Sequence, residues 1–255
     1  MVARVTLTQV IDGAQQPPTS NQQPVPMAAR VLAAIEVLLC SDFPTQIAIG
    51  GTLQALGYGP PAHGPLTIGY VAALSLGDAA VLVLLILLVL YAHGERPREV
   101  LFGRVPIGRE LVVGVPLILV AVAIGVGVLL TVQRFAPWLR TVPENPLQDL
   151  MRSPRDAVVF ALVLLAAGGV REEVQRAFLL HRFDVWLGGP IVGLLVTGIG
   201  FGAGHLIQGV DVAIATGLLG IFWGYIYLLR RSCAASMVSH AGFDLIQVVQ
   251  FLGLK

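Results

Sequence analysis

Charge is scarce in this chain. Only 12% of its 255 residues are Asp, Glu, Lys or Arg, against roughly 25% in soluble globular domains. A soluble enzyme of that composition is excluded. Basic blocks are missing too, and the formal net charge is +1, so nothing points to nucleic acid. Cysteine is limited to Cys40 and Cys233, both in apolar runs, which leaves no disulfide framework and no CxxC metal site. No repeat of solenoid type is visible. What the chain has instead is apolar length: 56% of its residues are hydrophobic, and disorder over most of it is ruled out. At roughly 20 residues per span plus loops, about seven or eight transmembrane helices fit. The fold class is therefore all-α, a polytopic transmembrane helical bundle.

Residues 1–26 are polar and rich in Gln and Pro. They lack the apolar core of a signal peptide and read as a disordered tail. Seven apolar stretches follow: Met27 to Leu56, Leu66 to Tyr91, Glu110 to Val132, a fourth from near Asp156, Pro190 to Ile207, Val212 to Leu229, and Cys233 to Leu252. Glu36, Asp42 and Pro44 interrupt the first, which is either one kinked span or an interfacial helix followed by a short span. The chain divides into the tail, N-terminal helices and loops over 27–154, and C-terminal helices over 155–252. Arginines after the second, fourth and sixth stretches put those loops and the N-terminus on the cytoplasmic side, although the loop between the third and fourth carries four arginines as well. Glycines four apart, Gly198/Gly202 and Gly200/Gly204, allow close helix packing.

An ionisable group at a helix centre costs roughly 2.5–3.5 kcal/mol on insertion scales, so each one needs a reason. The C-terminal half holds Glu172, Glu173 and Arg176 on the fourth stretch, His205 on the fifth, and His240 and Asp244 on the seventh. Glu172 and Arg176 share a helix face, while Glu173 points about 100° away from Glu172. One acid can then be structural and the other a general base. His240 and Asp244, four apart, also share a face. Taking Arg182, Pro190 and Cys233 as helix ends, Glu172 lies roughly 15 Å deep, His205 about 22 Å, His240 about 10 Å and Asp244 about 16 Å. Acid, imidazole and carboxylate from three helices thus overlap in depth, which marks a reaction site or an ion path.

These residues resemble the CPBP intramembrane proteases, the CAAX-protease and bacteriocin-processing (Abi) family. Glu172-Glu173 with Arg176, Phe201-x-x-x-His205 and His240-x-x-x-Asp244 follow the order of that family's EExxxR, FxxxH and Hxxx(N/D) motifs. The likeness spans about residues 155–250. It departs from the pattern twice. The usual Arg falls five positions after the first Glu, whereas Arg176 is four after Glu172. Aligning the arginine puts Arg171 and Glu172 at the Glu positions; aligning the pair shifts the arginine. The family's third motif, Phe followed four later by Asn, has no full match, since Phe222 precedes Ile226.

The resemblance implies hydrolysis of a peptide bond in a membrane-associated protein or peptide within the lipid bilayer, in the bacterial cytoplasmic membrane. Glu172 or Glu173 with His205 would activate water. His240 and Asp244 would stabilise the oxyanion, and Arg176 and Phe201 would support them. The cofactor stays open between none and one divalent zinc held by Glu172, His205 and His240. HExxH is absent; Ser75-Leu76-Gly77-Asp78 has Ser where GxGD needs Gly, and there is no GxSG elbow. Two other readings stand beside the protease. One is a non-catalytic membrane scaffold or immunity protein. The other is a proton-coupled transporter, motivated by Asp78, Glu36 and the buried acids and histidines.

Overall fold

The computed structural model describes residues 25–60, 66–143 and 145–253. Nearly all of the expected polar tail lies outside the described residues. Among these there are helices and no strand. A backbone in hydrocarbon must satisfy its own polar groups, and a helix does so within one segment.

The first apolar stretch is two helices, α1 (Met27–Leu39) and α2 (Phe43–Ala55), bent by 42°. Pro44 opens α2, and Asp42 before it has φ 79°, so the break falls where the sequence interrupts its apolar run. Next come α3 (Ile68–Ala92), where the Thr67 hydroxyl accepts from the Tyr70 amide, the short α4 (Pro97–Phe102), and α5 (Ile107–Phe135). The C-terminal part begins with α6 (Pro154–Val163), whose Ser153 hydroxyl accepts from the Asp156 amide at the first turn. This helix runs without interruption through a π-helical segment (Leu164–Glu172) into α7 (Glu173–Trp186). Helices α8 (Pro190–Gly204), α9 (Val210–Arg230) and α10 (Ala234–Gly253) complete the bundle.

Among the described residues, three helical stretches are long and apolar enough to cross a membrane: Ile68–Ala92, Pro97–Phe135 and Val210–Arg230. The bent α1–α2 pair makes a fourth if it counts as one span. The sequence expects about seven. All seven apolar stretches are helical, but the site-bearing ones are polar or short. The α6–π–α7 rod carries Arg171, Glu172, Glu173 and Arg176, and α8 has 15 residues, about 22 Å at 1.5 Å per residue. On α3, Leu82, Ile86 and Leu90 are fully buried while Leu84 and Leu88 face outward. A helix apolar on every side fits a bundle surrounded by lipid.

The central helix is α7. Its Ala177, Phe178 and Leu180 are fully buried against Leu82, Ile86, Leu90 and Tyr227. Arg182 corrects the sequence reading, which took it for a helix end. It is completely buried; its Nε lies 2.8 Å from Glu36, its Nη1 2.8 Å from Glu95, and its guanidinium 4.8 Å from the centre of the Phe178 ring. The depths measured from that residue shift accordingly. Of the two glycine pairs, Gly198/Gly202 forms the packed face of α8: a Cβ on Gly202 would sit 2.6 Å from the Ala213 carbonyl of α9. A Cβ on Gly200 or Gly204 would meet nothing within 4 Å. Those two glycines face a cavity instead.

Candidate active site

The π-helical segment brings the first acid to the site. Such wide turns occur mostly at functional positions. Here one ends at Glu172, just where the polar residues begin. Across this turn Glu172 and Glu173 take different surroundings. Glu172 is partly accessible and lines a cavity of about 490 Å³. Glu173 is buried; it pairs with Arg176 through Oε1, which also lies 2.8 Å from His240 Nδ1. The arginine therefore binds the second acid and leaves the first facing the cavity.

His205 ends α8. Its Nδ1 lies 2.8 Å from the Phe201 carbonyl oxygen, which can only accept. In the neutral ring Nδ1 carries the proton and Nε2 keeps its lone pair. The Phe201 ring stands edge-on to both His205 and His240, with centroids 4.7 and 5.9 Å away, and Arg176 lies 4.6 Å from its centre. His240 on α10 is fixed from three directions. Nδ1 goes to Glu173, Trp223 stacks on the ring at 3.8 Å and 18°, and Nε2 has Glu172 Oε2 and Asp244 Oδ2 each at 3.7 Å. Trp223 is itself anchored, donating from Nε1 to the Ser239 hydroxyl at 3.1 Å.

Glu172, His205, His240 and Asp244 all line the larger cavity. A smaller one of about 350 Å³ adjoins it and shares Arg171, Glu172, Phe201, His205 and Gln208 as lining. Glu173 stands behind this surface as a support, and Arg176, which pairs with it, lines the smaller cavity. Among the described residues, no group of three or more His, Cys, Asp or Glu side chains gathers to hold a metal ion. His240 and Glu173 are already committed to each other. The Glu172, His205 and His240 set does not form a ligand sphere, and the chemistry below uses no metal.

Residues 154–246, from the start of α6 into α10, match the family model described as type II CAAX prenyl endopeptidase Rce1-like. This segment is therefore similar to the CPBP/CAAX protease family. No curated protein and no solved structure matches the chain. The Rce1-like match supports a CAAX-type intramembrane protease, and the apolar helices with it point to an integral membrane protein.

Several residues around the site were not singled out from sequence. Trp223 lies in an ordinary apolar run, where one more aromatic gives no signal. Gly168 is the second. A Cβ there would sit 2.5 Å from Asp244 Oδ2 and 4.0 Å from His240 Nε2. Gly168→Ala should favour the helix by about 1 kcal/mol while pushing Asp244 aside. We expect kcat to fall at least tenfold with no loss of melting temperature in detergent; unchanged turnover would show that Asp244 does not need its place. Asp78 and Glu36, the acids behind the transporter reading, each face an arginine: Asp78 lies 3.6 Å from Arg171, and Glu36 2.8 Å from Arg182. They serve as counter-charges to those arginines.

Proposed function

We propose that the chain is an intramembrane endopeptidase that hydrolyses a peptide bond of a membrane-associated protein or peptide, with Glu172 as general base. The observation that carries this is the single cavity lined by Glu172, His205, His240 and Asp244 within the Rce1-like segment. Glu172 takes a proton from water, with His205 Nε2 accepting the water's other hydrogen bond. The hydroxide attacks the carbonyl carbon, and the C=O π electrons move to oxygen. His240 meets that oxyanion. Its Nδ1–H is held by Glu173, so in the doubly protonated ring Nε2–H is free to donate into the cavity, with Asp244 beside it. Collapse breaks the C–N bond, and Glu172 returns its proton to the leaving amine. General acid–base catalysis of this kind contributes about 10²–10⁴-fold, and an oxyanion donor about 10²–10³-fold.

The test is cleavage of a quenched-fluorescent prenylated CAAX peptide by the purified full-length protein in proteoliposomes. His205→Ala and His240→Ala should each lower kcat by at least 100-fold while the variants elute as folded protein. Undiminished cleavage by both would sink the proposal.

A further inference from the structure

The acids that pair with the arginine beside Glu172 come from outside the family match. Arg171, its neighbour on the π segment, is almost fully buried and faces three acids. Nη1 lies 2.8 Å from Asp42 Oδ1, Nε 3.6 Å from Asp78 Oδ2, and Nη2 3.5 Å from Glu172 Oε1. Asp42 belongs to the α1–α2 break and Asp78 to α3. A second bond ties the same break to α7: Gln175 donates to the Cys40 carbonyl at 2.9 Å. Asp42 is held in turn, because Gln46 donates to its other carboxylate oxygen at 2.6 Å.

From this geometry we infer that Asp42 and Arg171 are positioning residues for Glu172, making the N-terminal helix pair part of the working site. The inference rests on Glu172 being the base. The guanidinium is a rigid planar fork. With Nη1 paired to Asp42 and Nε facing Asp78, its remaining edge is turned toward Glu172 Oε1. On the other side His240 lies near Oε2. The carboxylate is thus set between an arginine fixed by α2 and α3 and an imidazole fixed by α7 and α9. Free the arginine from Asp42, and it can turn toward Glu172 and close on the carboxylate as a direct ion pair. The base would then be removed from water without any change at the residue itself. The remaining charged groups facing this point are Asp244 from α10, Glu173 and Arg176 from α7, and His205 at the end of α8.

Asp42→Asn is the informative variant. Position 42 has φ 79° and ψ −40°, and Asn has the size and shape of Asp, so it makes no new steric demand on that backbone. The substitution thus keeps the side chain's shape and an oxygen acceptor for Gln46 while removing the negative charge that faces Arg171. In proteoliposomes with the prenylated CAAX peptide, Asp42→Asn should lower kcat about tenfold and leave KM within twofold. Asp42→Glu should recover part of the rate. A second measurement is independent of turnover: dicyclohexylcarbodiimide labelling of Glu172, followed by mass spectrometry, should change at least threefold in rate in Asp42→Asn. If wild type cleaves and His205→Ala does not, yet Asp42→Asn matches wild type in both kcat and labelling, the inference falls and the protease reading stands. If wild type does not cleave but labelling of Glu172 responds to Asp42→Asn, the protease reading falls and the coupling stands. If wild type does not cleave and labelling is unchanged, both fall.

Discussion

Glu172→Gln should abolish peptide cleavage while the protein remains folded, and Glu173→Gln should do the reverse damage. Glutamine at 172 keeps the shape of a side chain that is partly accessible and lacks a close ion pair: its charged neighbours, Arg171 and His240, stand 3.5 and 3.7 Å away. Only its basicity is lost. A fall of about 10²–10⁴-fold in kcat follows from removing a general base, with little change in melting temperature. Glutamine at 173 instead leaves Arg176 with a neutral partner at a site where Glu173 and Arg176 are both nearly inaccessible. Removing one partner of a buried pair costs about 3–5 kcal/mol. Thermal unfolding in detergent and turnover, measured on both variants, separate the two acids. If Glu173→Gln stays stable and loses activity while Glu172→Gln keeps it, their roles are exchanged.

Arg182→Leu should have the largest effect on stability. The residue is fully buried between Glu36 and Glu95. Glu36 also accepts from His93 Nε2 at 2.5 Å, and Glu95 lies 2.8 Å from His181 Nε2. Leucine would strand Glu36 in particular, which is nearly inaccessible. A loss of about 3–5 kcal/mol is expected, read as a large drop in melting temperature or failure to accumulate in the membrane. A variant melting like wild type would show that the cluster contributes nothing net. The cluster also carries a pH dependence through Glu95, in the loop after α3. Burial alone would push its carboxyl up, but the hydrogen bond from His181 and the charge of Arg182 hold it below the usual carboxylate range. A carboxyl depressed in the folded state adds stability above its unfolded pKa, and that stability is lost as pH falls through the folded value. Glu95→Gln should therefore flatten the acid side of the stability profile.

The helices were readable because each is an apolar run bounded by residues with strong local preferences. Ser153-Pro154 starts α6, Gly189-Pro190 starts α8, and Asp42 with Pro44 breaks the first stretch. Glu172, His205, His240 and Asp244, singled out as ionisable groups in apolar stretches, line one cavity, although the depth of Glu172 is counted from Arg182, which is no helix end. That Glu172 and Glu173 would take different surroundings was readable from their offset of about 100°; which of them Arg176 would bind was not, because i,i+3 and i,i+4 spacings both allow a pair. Nor were the charge partners. Arg171 meets Asp42 and Arg182 meets Glu36 across distances in sequence that no local pattern spans. Scarcity of charge did give a hint, since every acid in an apolar run must find a partner, but it did not say which. The sequence expects about seven or eight spans, while three or four described stretches pass on length and apolarity alone; helices that pair their charges with one another need not be apolar throughout.

The two cavities have a consequence for the products. They share Glu172, His205, Phe201, Arg171 and Gln208 as lining, so the proposed base faces both. A chain lying across it would be cut with one part in each chamber. The new carboxylate and the new amine would then separate in opposite directions, and neither fragment would have to pass the other to leave.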